Sequence, residues 1–265
     1  HIGLCNFVAC HAHRQSPFAM KHAIKKAVIV GASSGMGLEV ARLLLAQGVV
    51  LGLAARRAEP LQKLSEEFPG QVFVERIDIT ADDAGAKLKA LISRMGGMEL
   101  YFHVSGIGFQ NMTLDIQKET STVSTNALGF TRMVDAAYQY FAEHGGGHIA
   151  ILSSIAGTKG LGAAPAYSAT KAFQNVYLQA LEQQARMRKL NIAFTDIRPG
   201  FVDTALLNDG KTYPMLMRPQ AVARQIVSAL RQKKHVKVID WRYRVLTALW
   251  RRLPRWVWRN MSIHT

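Results

Sequence analysis

The chain has 265 residues, about half of them apolar, and a formal net charge of +15 at pH 7. That length and apolar content exclude a disordered or fibrous chain and provide for one large α/β domain or two small ones. No uncharged apolar run reaches the roughly 18 residues of a spanning helix, and both cysteines, Cys5 and Cys10, fall in the first nineteen residues, so no disulfide framework supports the rest and a reducing, cytoplasmic setting is expected.

Residues 1–19 show no periodicity and contain three of the nine histidines. The stretch beginning Met20-Lys21-His22 then leads directly into an apolar strand, as a native start would. Residues 1–19 are therefore expected to be an extension outside the fold rather than a signal peptide. From Ala27 short apolar strands alternate with helical stretches. Strands are expected at Ala27–Val30, Val49–Ala55, Val72–Ile77, Leu100–Val104, Ile149–Leu152, Ile192–Ile197 and Val236–Ile239. Helices are expected at Gly37–Gln47, Glu59–Phe68, Asp82–Arg94, Lys118–Glu143, Ala166–Arg188 and Pro219–Gln232. Alternation with helices of this length predicts βαβ units with right-handed crossovers. The result is one doubly wound parallel α/β sheet of about seven strands, covered on both faces, over residues 20–240, with a separate C-terminal extension at 241–265.

The first strand runs into Gly31-Ala32-Ser33-Ser34-Gly35-Met36-Gly37. Glycines between a strand and a helix allow a tight turn and close approach to a pyrophosphate, which the helix N-terminus then meets with free N–H groups. The spacing differs from G-x-G-x-x-G, so the match is to a related loop. At the end of the second strand an NAD site usually has a carboxylate. Here the residues are Ala54-Ala55-Arg56-Arg57, and two guanidiniums suit a 2′-phosphate. With Ser33 adding a hydroxyl, the expected cofactor is NADP(H).

Tyr167 and Lys171 stand at i and i+4 on a predicted helix and share one face. A phenol with a reference pKa of ~10 becomes a useful acid or base near neutrality only beside a cation. Ser154, thirteen residues before the tyrosine, is placed to hold a carbonyl oxygen. Its neighbour Ser153 should point the other way from an alternating strand end. These groups suffice to move a proton at an oxygen while a hydride moves at the attached carbon.

Together these motifs resemble the short-chain dehydrogenase/reductase family in its single-domain form, over most of residues 26–239. The resemblance implies that Gly31, Ser33, Ser34, Gly35, Met36 and Gly37 form the phosphate loop. It implies that Asp78 contacts the adenine beside the Ile79 backbone. Asn126, Ser154, Tyr167 and Lys171 match the family's catalytic tetrad, in which Asn126 holds a water leading to Lys171 and Lys171 also binds the nicotinamide ribose, beside Tyr167. Pro199, Gly200, Val202 and Thr204 match the segment that meets the carboxamide. One stretch departs from the family: His103-Val104-Ser105-Gly106 replaces an Asn-Asn-Ala-Gly turn. Gly106 keeps the turn, Ser105 and Gly106 are still expected beside the cofactor, and His103 is expected to be a buried structural histidine rather than an acid or base. The resemblance implies a homodimer or homotetramer, no metal, and reversible reduction of a ketone or aldehyde. The alternatives are a dinucleotide-binding sensor without turnover and a membrane-associated scaffold.

The segment from Phe201 to Arg218, with Leu206, Leu207, Tyr213, Met215, Leu216 and Met217, reads either as a cover for an apolar substrate or as packing on the domain. From Arg231 onward ten Lys/Arg face one acid, Asp240, and all four tryptophans lie there. A helix over Trp241–Leu253, with Val245, Leu246, Leu249, Trp250 and Leu253 on one side and Arg244, Arg251 and Arg252 opposite, fits either a membrane surface or packing on protein. Nothing resembles a nucleic-acid motif, and no nucleic-acid partner is expected.

Overall fold

The computed structural model describes residues 24–204 and 213–263. Residues 1–19, with both cysteines, lie outside the described residues, as do Leu206 and Leu207. Among the described residues there are seven strands: β1 (Lys26–Val30), β2 (Val50–Ala55), β3 (Val72–Arg76), β4 (Leu100–His103), β5 (Gly147–Leu152), β6 (Ile192–Arg198) and β7 (Val236–Val238). They form one sheet in the order β3-β2-β1-β4-β5-β6-β7, every pairing parallel. This is the doubly wound architecture the alternating pattern predicted. Order reverses between β1 and β4, which opens a crevice at their carboxyl ends.

The strands are apolar on both faces because helices cover both. Along β1, Ala27 and Ile29 enter one core while Val28 and Val30 enter the other. Leu100 and Phe102 of β4 side with the first core and Tyr101 with the second. Helices α1 (Gly35–Leu45) and α7 (Pro219–Arg231) pack together over the first face, and α3 (Ala84–Arg94) packs with α5 (Phe130–Glu143) over the second. Helix α2 (Glu59–Glu67) covers β3, α4 (Ile116–Val123) lies against α6 (Pro165–Met187), and α8 (Trp241–Arg252) and α9 (Arg255–Trp258) end the described chain.

Two elements depart from the predicted boundaries. The expected helix Lys118–Glu143 is α4 and α5 joined through a π-helical turn at Ser124–Gly129. A single wide turn leaves the apolar stripe almost intact, so periodicity does not reveal it, yet such turns often mark functional positions. The face that α8 turns inward also differs. Tyr243 is fully buried, Thr247 is buried, and Leu246 packs on the first core. The Tyr243 hydroxyl donates to Pro214 O at 2.9 Å and accepts from Phe201 N at 3.2 Å, tying the last long helix to the segment after β6. Val245 and Leu249, expected on the same side as Leu246, point outward. A tyrosine with good hydrogen-bond partners anchored the helix more strongly than the aliphatic stripe did.

Tyr243→Ala is expected to lower stability by about 3–5 kcal/mol, the range for deleting a buried aromatic ring. Tyr243→Phe should lower it by about 1–2 kcal/mol, since only the hydroxyl contacts are lost. Urea unfolding followed by circular dichroism separates the two.

Candidate active site

The glycine turn after β1 has little choice of side chain. Gly31 has φ +93°, and a Cβ there would stand 2.5 Å from Ser105 N. The turn thus presses against the segment after β4, whose Val104 and Ser105 N–H groups both donate to Val30 O. Helix α1 follows, with Ser34 at its N-cap position, no side chain capping it and no acid in its first turn. Its first N–H groups are therefore available to an anion. Ser33, Gly35, Met36 and Gly37 lie in this same turn, and Ser105 and Gly106 border it.

At the neighbouring strand ends the charge is positive. Arg56 and Arg57 are exposed just past β2. Arg76, at the end of β3, donates through Nε to Arg56 O at 3.2 Å and so joins them, a third guanidinium that the motif did not include. Asp78 accepts from Thr80 N at 3.0 Å and Thr80 Oγ1 at 2.7 Å. These bonds hold its carboxyl below the usual range, with Arg56 and Arg76 contributing a smaller share. Ile79 beside it is buried. The uncapped helix, the glycine turn that admits no Cβ and the cationic rim fit a phosphate-rich dinucleotide.

The hydroxyl and amine groups assemble past β5. Ser154 follows the strand in extended conformation and accepts from Ala156 N at 3.1 Å, opening a short 3₁₀ turn, Ile155–Thr158. That turn lies directly on α6, since a Cβ on Gly157 would be 2.7 Å from the Lys171 carbonyl carbon. Only glycine allows the approach, which sets Ser154 over the first turns of α6 and beside Tyr167. Ser153 faces away, donating to Asp196 Oδ1 and, at 3.3 Å, to Ile197 O. The N-terminus of α6 is fixed by Glu119 of α4, whose Oε2 accepts from Ala166 N at 3.0 Å while Oε1 accepts from Asn111 Nδ2.

Burial raises the Tyr167 pKa above its ordinary value, and the Ser154 hydroxyl bonded to it pulls in the other direction. Lys171 is buried, 4% exposed, and its ammonium is 5.7 Å from the Tyr167 ring centre. Burial pushes the lysine down to about 8, against the nearby Asp196 carboxylate, which holds it up. Lys171 Nζ donates to Leu152 O and to Gln174 Oε1, both at 3.1 Å. Gln174 Nε2 in turn donates to the Asn126 carbonyl at 2.9 Å. Gln174 thus joins Lys171 to the Asn126 carbonyl through its side-chain amide. Asn126 is fully buried on the π-helical turn, and its amide exchanges two hydrogen bonds with the Ile107 backbone and reaches Thr170 Oγ1 at 3.2 Å. It clamps the segment after β4 to α6.

Gln174 carries no motif signal, because it sits three residues past Lys171 on the same helix face and looks like ordinary packing. Asp196 is similarly silent in the sequence, an acid within an apolar strand, bonded by Arg198 at 2.8 and 2.6 Å. Pro199, Gly200, Val202 and Thr204 follow β6 at the same edge. Val202 bridges to Met217, joining the two described ends of the Phe201–Arg218 segment. Tyr213 and Met217 are buried there, Met215 packs on the core, and Leu216 faces outward. His103 is buried against Phe130 and pairs through Nδ1 with the Tyr101 hydroxyl at 2.8 Å. Burial, then Lys171, push it down to about 3. Among the described residues no group of His, Cys, Asp and Glu side chains could hold a metal ion.

A doubly wound sheet with a phosphate turn at its switch point, and with Ser154, Tyr167 and Lys171 at the same edge, defines a dinucleotide-binding α/β protein. A family model for short chain dehydrogenases matches residues 25–213. The chain is 31% identical over 219 residues to an uncharacterized oxidoreductase of Staphylococcus aureus (strain USA300), covering 81% of this chain and 94% of that protein. Among solved structures it is similar to an alcohol dehydrogenase from the archaeon Thermococcus sibiricus complexed with 5-hydroxy-NADP. That match has 23% identity and a TM-score of 0.73, covering 83% of this chain and 98% of that one. It is also similar to a 3-ketoacyl-(acyl-carrier-protein) reductase from Brucella melitensis complexed with NADH, at 21% identity and a TM-score of 0.71, covering 82% and 96%. The chain belongs to the short-chain dehydrogenase/reductase family of oxidoreductases.

Two buried histidines give the fold a defined acid response. His103 and His148 are both held down to about 3, His148 by burial first and Lys233 second. In the unfolded chain a histidine titrates near ~6.5, so the unfolded state binds the extra protons below that pH. Stability should be complete above about pH 6.5 and fall toward pH 3, by about 1.4 kcal/mol per pH unit for each histidine. Denaturant midpoints measured from pH 7 to 4 should show this slope, and His148→Gln should flatten it.

Proposed function

We propose that this chain is an NADP(H)-dependent oxidoreductase that reduces an apolar ketone or aldehyde to an alcohol, reversibly. The observation that carries the reading is the meeting of the Tyr167 and Ser154 hydroxyls over a buried Lys171, at the sheet edge that also holds the glycine turn. The turn from Gly31 to Gly37 and the N-terminus of α1 would hold the pyrophosphate. Arg56, Arg57 and Arg76 would hold a 2′-phosphate, Asp78 and Ile79 the adenine, and Pro199 to Thr204 the carboxamide. NADPH, when bound, supplies the hydride.

Tyr167 donates a proton to the carbonyl oxygen as negative charge grows on it, and Ser154 donates a hydrogen bond to the same oxygen. The raised pKa of Tyr167 keeps the phenol protonated near neutrality, the form that reduction needs. Lys171, with its pKa near 8, is mostly protonated there and favours the phenolate left behind. Alcohol oxidation needs that phenolate at the start, so its rate should climb with pH while reduction holds across neutrality. For assembly the reading favours a homodimer through α4, the π-helical turn and α6, where Val123, Leu128, Phe173 and Val176 stay exposed on the single chain.

The test is NADPH consumption over ketones of increasing chain length, with wild type and Tyr167→Phe. The variant should bind NADPH as wild type does by fluorescence and lose about 10²–10⁴-fold in turnover, the usual share of a positioned acid. Ordinary turnover in Tyr167→Phe would overturn the assignment. For the cofactor, Arg56→Ala combined with Arg57→Ala should lower kcat/KM for NADPH by about 10- to 100-fold, the worth of one or two charge-assisted hydrogen bonds, and leave NADH nearly unchanged. Equal losses with both cofactors would remove the arginines from 2′-phosphate recognition.

A further inference from the structure

Helix α8 is apolar on two opposite faces. Its inner face, Tyr243, Leu246 and Thr247, packs on the domain, with Trp250 half-buried beside it. On the other side Trp241, Val245 and Leu249 recur every four residues and are 68%, 49% and 58% exposed. Past Pro254 the chain folds back into α9, with the Trp258 and Trp250 rings 5.3 Å apart edge to face, and Trp256 stands 66% exposed. Arg244, Arg251, Arg252, Arg255 and Arg259 are exposed around these side chains and have no carboxylate partner among the described residues, whereas Arg242 has Asp240 at 2.7 Å. No acid follows Asp240 in the sequence.

We infer that α8 and α9 dock on the surface of an anionic lipid bilayer, lying in the plane of its headgroups. Tryptophan is favoured at that depth because its ring is apolar and its N–H polar. An in-plane helix with an apolar stripe flanked by arginines gains both burial and attraction to anionic lipid. Charge and composition together decide against a protein partner. A stable protein interface has an apolar core from which charged residues are depleted, whereas here five guanidiniums crowd around four exposed apolar side chains, a mixture that suits a dense negative surface with an apolar interior.

The patch is rigidly joined to the candidate site. Trp258 Nε1 donates to Gly160 O at 2.8 Å, and Lys159 Nζ donates to Leu253 O at 2.9 Å. Both partners lie in the loop that continues from Ser154. Tyr243 holds the same helix to the Phe201–Met217 segment. Docking therefore sets the carboxyl edge of the sheet beside the bilayer, which suits a substrate dissolved in lipid. That last consequence rests on the proposed reaction; the docking does not.

The full chain should be sedimented with vesicles of phosphatidylcholine and of phosphatidylcholine with phosphatidylglycerol. Binding is expected to the anionic vesicles, weakening as salt rises, with a blue shift of tryptophan emission. Trp241→Glu with Leu249→Glu should weaken it about tenfold or more, the effect of losing one or two buried apolar side chains. Arg252→Gln with Arg255→Gln should weaken binding to the anionic vesicles by about 10- to 30-fold and make it less sensitive to salt. These positions are exposed, and an unchanged thermal midpoint verifies folding. The inference is overturned if wild type stays in the supernatant at low salt, or if the Glu variants bind as well as wild type. It is equally overturned if those variants change the mass of the assembly in solution, which would make the stripe a contact between copies, or if duplex nucleic acid competes the protein off the vesicles.

Discussion

One buried ammonium organises the functional half of the sheet. Lys171 has almost no contact with solvent, so its charge must be met from within. Leu152 O supplies one acceptor at the end of β5, Gln174 Oε1 a second from its own helix, and the Asp196 carboxylate supplies a field from β6. Each of these partners is itself fixed. Asp196 is held by Arg198 and Ser153, and Gln174 by the Asn126 carbonyl on the π-helical turn. Shifting any of the four elements would leave a buried polar group unpaired, at a cost of about 1–3 kcal/mol or more. The lysine thereby locks the spacing between β5, β6, α6 and the α4–α5 helix, and Tyr167 inherits that rigidity one helical turn earlier.

The carboxyl edge is divided electrostatically. One end, past β2 and β3, gathers Arg56, Arg57 and Arg76 around an uncapped helix N-terminus and attracts phosphate. The other end, past β5 and β6, encloses its charges, and Tyr213, Met215 and Met217 pack inward beside it. An anionic ligand is thus drawn to the first half, while Tyr167 and Ser154 belong to the second. The same division continues into α8, where guanidiniums return to the surface next to exposed tryptophan.

The doubly wound parallel sheet, the strand positions and the family were legible in the sequence because they rest on strong local signals. Continuous apolar runs such as Ala27–Val30 mark strands buried on both faces, and the glycines from Gly31 to Gly37 punctuate the first crossover. What escaped was held by contacts between distant segments. The π-helical turn at Ser124–Gly129 adds too little to the helical repeat to disturb its stripe. Glu119 capping α6 and Gln174 holding Lys171 are polar residues at unremarkable helix positions, and their roles exist only once two helices meet. Tyr243 was passed over because the aliphatic residues of α8 form the longer stripe. Hydrogen bonds to Phe201 and Pro214 reversed that ranking, and no periodicity encodes them.

The Gln174 bridge bears on how protons would travel in the proposed reaction. A water between Lys171 and the Asn126 carbonyl would accept one proton while passing on another, and so would connect the lysine inward. A primary amide does this poorly, because its nitrogen is not basic and its oxygen is already occupied by the ammonium. With Nε2 committed to Asn126 O and Oε1 to Lys171, Gln174 itself passes no proton onward. The ammonium has three N–H groups, and Leu152 O and Gln174 Oε1 take two of them. In the proposed reaction the third is the one through which Lys171 would meet a cofactor hydroxyl or a relay. What the amide contributes is position: it ties the lysine to the π-helical turn and so fixes how strongly its charge is felt at Tyr167, whose ring centre lies 5.7 Å away.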